Sequence, residues 1–157
     1  MSLMNWDLTS YFPDFDGPEM RTFRDQLRAD IDGLGKRAGG LTSLGEDTLV
    51  EWEEVLLSCE EVSRRLSHLD SYLSCLTAAD TANEDYKGEE AAFALTEAAA
   101  DKITVELKRG LRDASQDSWE ALLARPVLDG CQHFLQRLRH EAQQTMEPAN
   151  ERLNADL

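Results

Sequence analysis

The segment WEEVLLSCEEVSRRLSHLDSYLSCL, residues 52–76, decides the fold that this chain can adopt. Apolar or weakly polar side chains recur in it at alternating steps of three and four residues, which is the spacing of one helical face. They are Trp52, Val55, Cys59, Val62, Leu66, Leu69, Leu73 and Leu76. The mean repeat of about 3.5 residues predicts a long helix with a continuous apolar seam, which needs a long partner helix to cover it.

The partner helix is predicted directly after a short break. Thr81 and Glu84 have the spacing of a capping box, which favours a helix start at this point. The apolar residues that follow at helical spacing are Leu95, Ala99, Ile103, Leu107 and Leu111. Because a short loop between two long helices gives an antiparallel hairpin, we expect paired helices near residues 47–79 and 84–112.

A further helix is predicted before the hairpin. Asp16 is a candidate N-cap, Pro18 falls in the first turn, and Gly39-Gly40 is a helix breaker. The apolar residues between these signals are Met20, Phe23, Leu27, Ile31 and Leu34, again at steps of three and four.

Shorter helices are predicted after the hairpin. Ser115 opens a short helix that contains Trp119, and Pro126 separates it from a helix over residues 127–140. Thr145 has the character of a cap for a last segment. The expected fold is therefore all-α: one helical domain over residues 1–157, built on a long antiparallel helix hairpin with shorter C-terminal helices.

The composition excludes several classes of function. The chain has 31 acidic and 16 basic residues and a net charge of −15, so we expect no binding to nucleic acid or to anionic membranes. No apolar run approaches the ~20 residues of a transmembrane helix. Cys59, Cys75 and Cys131 are an odd number at scattered spacing, which favours packing thiols and a cytoplasmic location over a disulfide framework.

One segment partly matches a zinc-binding motif. His140 and Glu141 have the spacing of the first two residues of His-Glu-x-x-His, but Gln144 occupies the position of the second histidine. Zinc needs both imidazoles, at i and i+4, to be bound from one helix face. We therefore expect a surface helix here and no metal site, and we expect His68 to be a partly buried packing residue.

The remaining candidates also favour structural roles. The adjacent acids Glu53-Glu54, Glu60-Glu61 and Glu89-Glu90 are expected on solvated helix faces. A di-iron bundle would need Glu-x-x-His pairs, and the sequence has none. We expect no catalytic, cofactor-binding or metal-binding residue in this chain.

Three segments resemble the N-terminal region of oligoendopeptidase F, a zinc metallopeptidase of the M3 family. They are WDLTSYFP at residues 6–13, YLSCLTAADT at 72–81 and HFLQRLR at 133–139, and the similarity extends from about residue 6 to residue 157. In that family the N-terminal helices form a lid over a deep channel that admits short peptides, and a separate helical domain holds one catalytic zinc.

The resemblance implies that this chain is the non-catalytic lid or channel wall of a zinc metalloendopeptidase. Its partner would be the catalytic domain of the same polypeptide, which is absent from this chain and would hold the zinc, and the parent enzyme would act on short peptides. No catalytic residue of the family can be assigned to a position here, because the zinc motif is missing.

The alternative is a free-standing helical protein-interaction module. In either case we expect an open apolar surface, used for self-association or for binding the rest of the enzyme. Its expected residues come from both ends of the chain: Trp6, Leu8, Tyr11, Phe12, Phe134, Leu138 and Leu153.

Overall fold

Five α-helices form the framework of residues 7–144, which are the part of the chain that the computed structural model describes. They are α1 (Pro18–Gly40), α2 (Leu49–Ala79), α3 (Glu84–Leu111), α4 (Gln116–Leu123) and α5 (Gln132–Gln144). Single turns of 3₁₀ helix lie at Glu46–Thr48 and Pro126–Leu128. Residues 7–144 contain no strand, so the all-α prediction is confirmed, and α2 and α3 end within two residues of their predicted bounds.

The chain divides into two compact units. Unit 1 consists of Met1–Lys36 and Ser58–Asp101, and unit 2 of Arg37–Leu57 and Lys102–Leu157. The predicted single domain over residues 1–157 stays a prediction.

Trp6, Thr145 and Leu153, which the sequence-based predictions named, lie outside the described residues. Within residues 7–144, none of the helices combines the length and the apolar character that crossing a membrane requires.

The hairpin of unit 1 is closed by the turn at residues 80–83. The Asn83 side-chain oxygen accepts hydrogen bonds from the backbone N–H groups of Asp85 (3.0 Å) and Tyr86 (3.2 Å). Asn83 is therefore the N-cap of α3, and the predicted capping box at Thr81 is wrong by two residues. Beyond the turn, the Thr77 hydroxyl donates to Glu90 (2.9 Å), which joins the two antiparallel helices.

The seam of α2 is buried at most of its predicted positions. Trp52, Val55, Val62, Leu69, Leu73 and Leu76 are buried, whereas Cys59 and Leu66 are only half-buried. An α-helix drifts by about 20° per heptad from a strict 3.5-residue repeat. The buried face consequently widens to include Leu56 and Tyr72, and two seam positions fall at its edge.

The buried face of α3 differs from the predicted one. Leu95 is 75% exposed and Ala99 is half-buried, whereas Phe93, Thr96, Ile103, Leu107 and Leu111 are buried. Leu95 precedes Ile103 by eight residues, a rotation of about 80° beyond two full turns, whereas Thr96 precedes it by seven and lies about 20° away. Leu95, an apolar residue of the predicted stripe, therefore lies outside the buried face of α3.

The observed start and end of α1 differ from the predicted ones. The first intrahelical hydrogen bond runs from the Arg21 N–H to the Gly17 carbonyl (3.0 Å), so Gly17 is the N-cap. Asp16, the predicted cap, precedes it at a positive φ of 51°. At the other end the helix continues through Gly39-Gly40. The Arg109 guanidinium donates to the carbonyls of Gly39 (3.4 Å) and Leu41 (3.1 Å), which satisfies acceptors that a helix end leaves unpaired.

Unit 2 is built around Trp52, which is fully buried. Its indole N–H donates to the Thr42 carbonyl (3.2 Å), and its ring lies against Gly110. A Cβ atom at Gly110 would be 2.4 Å from the ring, closer than real contacts allow. The Leu44 N–H donates to the Gly110 carbonyl (3.1 Å), so the loop before α2 is also attached here.

The last two helices complete unit 2. Ser115 is the N-cap of α4, as predicted, and its hydroxyl accepts from the Ser118 N–H (3.1 Å). The helix predicted over residues 127–140 begins later, at Gln132. Gly130 has a φ of 93°, a conformation that glycine adopts readily and that turns the chain before α5. The buried side chains of this region are Trp119, Leu122, Leu128, Leu135, Leu138 and Ala142.

Gly110→Ala is expected to destabilise the fold by about 1–3 kcal/mol, the usual cost of overpacking a core. The reason is the contact with the Trp52 ring. Gly88→Ala is the matched control, because Gly88 lies in the same helix with open space around it. It should stabilise the fold by about 0.5–1 kcal/mol. Chemical denaturation of both variants measures the difference, and equal effects at the two sites would contradict this account.

Leu69→Ala is expected to lower the free energy of unfolding by about 2–5 kcal/mol, because Leu69 is fully buried in the seam of α2. Leu66→Ala should cost less, since Leu66 keeps part of its surface in water. Leu95→Ala serves as the exposed control and should stay within about 0.5 kcal/mol of the parent. Denaturation midpoints that rank these three variants differently would show that the described core is wrong.

Candidate functional site

An aromatic cluster in unit 1 surrounds His68. The rings of Tyr11, Phe12 and Phe23 lie 5.0, 5.3 and 5.4 Å from the imidazole, and Phe12 lies 5.0 Å from Tyr72 in an edge-on contact. Aromatic pairs at these distances stabilise one another beyond the area they bury. His68 is half-buried among these rings, which agrees with its predicted packing role.

The cluster also fixes the segment that precedes α1. Phe12 is 5% exposed, so it contributes to the core and not to an open surface. Leu138, expected on the same surface, is 2% exposed. The predicted open patch is therefore wrong at both residues. Phe134 does keep an exposed ring (38%), and Leu8 and Tyr11 are half-buried.

A half-buried ion pair connects α1 and α3 in unit 1. Arg24 Nη1 lies 2.8 Å from Glu89 Oε2, and the two side chains are 17% and 14% exposed. Asp16 adds a second carboxylate 3.6 Å from the same nitrogen. Arg24 Nε and Glu89 Oε1 are buried and lack a hydrogen-bond partner among the described residues. Because the opposite charges face each other directly, the pair joins two helices and offers no free base or acid.

The adjacent acids are less solvated than predicted. Glu53 pairs with Arg125, Glu89 with Arg24, and Glu90 accepts the hydrogen bond from Thr77. Glu61 pairs with Arg64 on the surface of α2 (2.8 Å). The expectation of purely solvated faces is thus wrong for Glu53, Glu89 and Glu90, because each of them connects two helices or a helix and a loop.

The segment that partly matches the zinc motif lies on α5. The His140 and Gln144 side chains are in contact, with Nε2 atoms 2.8 Å apart. Glu141 is engaged by Lys108 (2.6 Å), with Arg137 at 3.9 Å. The hydrogen bond from Lys108 holds the pKa of Glu141 below its usual range, so this carboxylate is a weak base. Within residues 7–144, no group of three His, Cys, Asp or Glu side chains could hold a metal ion.

The three cysteines are half-buried thiols in the described structure. Cys59 lies at the edge of the buried seam and Cys75 lies one residue before the buried Leu76. This placement is typical of packing residues.

One acid that the sequence did not single out is Glu97. Desolvation of its carboxyl group, together with the nearby charges of Asp70 and Asp101, raises its pKa.

A polar cleft, open to solvent, lies between α4 and α5 in unit 2. It encloses about 240 Å³ and is lined by Gln116, Trp119, Gln136, Arg139, His140 and Gln143. The Arg139 guanidinium lies 4.8 Å from the centre of the Trp119 ring. It also donates to Gln116 Oε1 (3.1 Å) and to the Ala114 carbonyl (3.3 Å). The sequence offered only a faint signal for this arrangement, since Arg139 and Trp119 are 20 residues apart.

An apolar groove lies between α1 and α3 in unit 1. It encloses about 420 Å³, and Arg28, Ile31, Asp32, Ala92, Leu95, Thr96 and Ala99 line it. The Arg28 Nε donates to the Thr96 hydroxyl (3.4 Å) at its floor. Leu95 stands exposed at its edge. The groove can receive an apolar side chain, and it contains no arrangement suited to bond cleavage.

Glu141→Gln is expected to destabilise the fold at neutral pH by removing the carboxylate that binds Lys108. Because the folded state lowers the pKa of Glu141, its contribution is present above the usual glutamate pKa of about 4.3 and is lost as the pH falls through the lowered value. The unfolding free energies of the two proteins should therefore converge below that pH. Asp129→Asn, an exposed acid outside this pair, is the control. A difference between Glu141→Gln and the parent that persists at low pH would contradict the assignment.

Comparison with known proteins found no family model, no curated protein and no solved structure that matches this chain.

Proposed function

We propose that this chain is the non-catalytic N-terminal helical region of an oligoendopeptidase F-like zinc metalloendopeptidase. In this proposal it forms part of the wall or lid of the peptide channel. The catalytic domain of the same polypeptide would hold the zinc and cleave short peptides, and the protein would act in the cytoplasm. The chain would then be one lobe of a hydrolase, not an enzyme by itself.

The observation that carries the proposal is the contact between two of the segments that resemble the family. Residues 6–13 and 72–81 are about 60 positions apart in the sequence, yet the rings of Phe12 and Tyr72 pack edge to face with their centroids 5.0 Å apart. Tyr11 lies 5.8 Å from the same Tyr72 ring. Tyr11, Phe12 and Tyr72 of the two segments are therefore packed against one another, which supports the resemblance. The all-helical architecture agrees with the same proposal.

The groove between α1 and α3 offers a surface for the catalytic domain. Leu95 is a large apolar side chain that is 75% exposed, and the small side chains of Ala92 and Ala99 beside it permit close approach. Leu95 and the groove together form an apolar surface, which supports a contact with the catalytic domain here.

The same groove supports the second candidate, a free-standing helical interaction module. Its apolar walls and the Arg28 and Asp32 side chains suit one face of an amphipathic helix from another protein. The two candidates differ in the partner: the first requires the polypeptide encoded downstream of residue 157, and the second does not.

A binding experiment separates the two candidates. The chain is mixed with the separately produced polypeptide encoded downstream of residue 157, and sedimentation velocity at several concentrations measures the complex. Hydrolysis of a fluorogenic peptide, with and without a zinc chelator, measures activity. We expect a complex and chelator-sensitive activity that neither part shows alone.

Variants locate the surface. Leu95→Glu should weaken the complex at least about tenfold, because it places a charge in the groove, a loss of about 1.4 kcal/mol. Val50→Glu is the matched control, since Val50 is also exposed (58%) and lies outside the groove. A strict monomer that ignores the downstream polypeptide would overturn the peptidase proposal. Equal weakening by the two variants would show that the groove is not the contact surface.

A further inference from the structure

Arg139 differs from most arginines of this chain in its surroundings. Among the described residues, Arg21, Arg24, Arg37, Arg64, Arg65, Arg109, Arg112, Arg125 and Arg137 each lie within ion-pair distance of a carboxylate. Arg139 is half-buried, and no carboxylate of residues 7–144 lies within that distance. In a chain with a net charge of −15, an arginine without an acidic neighbour is unexpected.

The guanidinium of Arg139 is held in place by neutral groups. It lies over the face of Trp119, which is 5% exposed, and donates to Gln116 Oε1 and the Ala114 carbonyl. A guanidinium has five N–H hydrogens, and these two acceptors leave others unused. Nε is buried and has no hydrogen-bond partner within the described part of the chain. The orientation is therefore fixed, while no acid of residues 7–144 lies within ion-pair distance of the positive charge.

The rest of the cleft carries hydrogen-bond donors and no acid. The side chains of Gln116, Gln136 and Gln143 supply amides, and His140 supplies an imidazole. Three acids directly adjoin lining residues in the sequence: Glu120 accepts from the Gln116 amide (2.7 Å), Glu141 pairs with Lys108, and Asp117 is exposed on α4. A cavity of about 240 Å³ with a fixed cation, several amides and no acidic lining residue suits a small anion.

We propose that the cleft between α4 and α5 binds a carboxylate through the guanidinium of Arg139, which the Trp119 ring, Gln116 and the Ala114 carbonyl hold in place. A planar carboxylate matches the fork of hydrogens on a guanidinium, and charge-assisted hydrogen bonds of this kind are roughly twice as strong as neutral ones. The carboxylate comes from the C-terminus of a peptide or from a small organic acid. The site lies wholly on α4 and α5 and does not depend on the function proposed above.

The test is a titration of the full chain with three probes. They are an N-acetylated tripeptide with a free C-terminus, the same peptide as its C-terminal amide, and acetate. The readouts are isothermal titration calorimetry and the NMR signal of the Arg139 Nε–H group, which is assigned by its loss in Arg139→Lys. We expect saturable binding of a carboxylate with a shift of that signal, and binding of the amide at least about tenfold weaker.

The preference between probes identifies the source of the carboxylate. Tighter binding of the free peptide than of acetate assigns the site to peptide C-termini, and equal binding assigns it to small organic acids. Equal binding of the peptide and its amide would overturn the proposal. Absence of saturable binding at tens of millimolar probe would also overturn it.

Three variants test the role of the guanidinium. Arg139→Lys keeps the charge and removes the fork, so it should weaken binding at least about tenfold. Gln143→Glu changes an exposed side chain and brings a competing carboxylate to the cleft, so it should weaken binding similarly while the fold is kept. Arg137→Lys is the matched control, because Arg137 lies on the same helix beside the Phe134 ring and outside the cleft.

Thermal unfolding separates binding from folding. Gln143→Glu and Arg137→Lys should unfold at the temperature of the parent. If Arg139→Lys is less stable but binds the probe as tightly as the parent, Arg139 has only a structural role and the proposal is wrong. The proposal also fails if Arg137→Lys weakens binding as much as Arg139→Lys, because the effect would then not be specific to the Arg139 guanidinium.

Discussion

Burial of one face of α2 is the constraint on which the rest of the structure depends. Its seam begins at Trp52, which is fully buried and lies so close to Gly110 that a methyl group there would collide with the ring. At the other end, the Asn83 cap starts α3 only four residues after α2 stops. With both ends of the hairpin determined, α3 has one face left for the core, and Leu95 falls outside it.

The excess of acidic residues determines which side chains lie beside the arginines. With 31 acids and 16 bases, most arginines of the described residues lie beside a carboxylate. Several of these pairs join separate elements: Arg24 reaches Glu89, Arg65 reaches Asp30, and Arg125 reaches Glu53. Exposed pairs contribute little to stability, so the half-buried Arg24–Glu89 pair has the greater structural weight. Neither Arg28 nor Arg139 forms such a pair among the described residues, and the neighbours of Arg139 are an indole, an amide and a backbone carbonyl.

The helices themselves could be predicted from the sequence, because apolar periodicity and capping signals are local. The bounds of α2 and α3, and the cap at Ser115, follow from residues within one or two turns. Features that depend on distant contacts could not be predicted. Gly39-Gly40 stays helical where Arg109, some 70 residues later, donates to the last carbonyls. The cleft likewise needs α4 and α5 to be placed together before Arg139 can meet Trp119.

Burial of residues near both ends of the described chain reduces the exposed surface that is available for binding a partner. Phe12 and Leu138 were two of the seven expected contact residues, and both are buried within their own units. A partner must therefore use side chains that the core does not need. In unit 1 the largest of these is Leu95, which stands beside a groove with apolar walls. Unit 2 has, besides exposed apolar side chains such as Phe134, a polar cleft in which no described acid lies within ion-pair distance of Arg139. The first surface suits an apolar partner and the second a carboxylate, so the two sites can be tested independently.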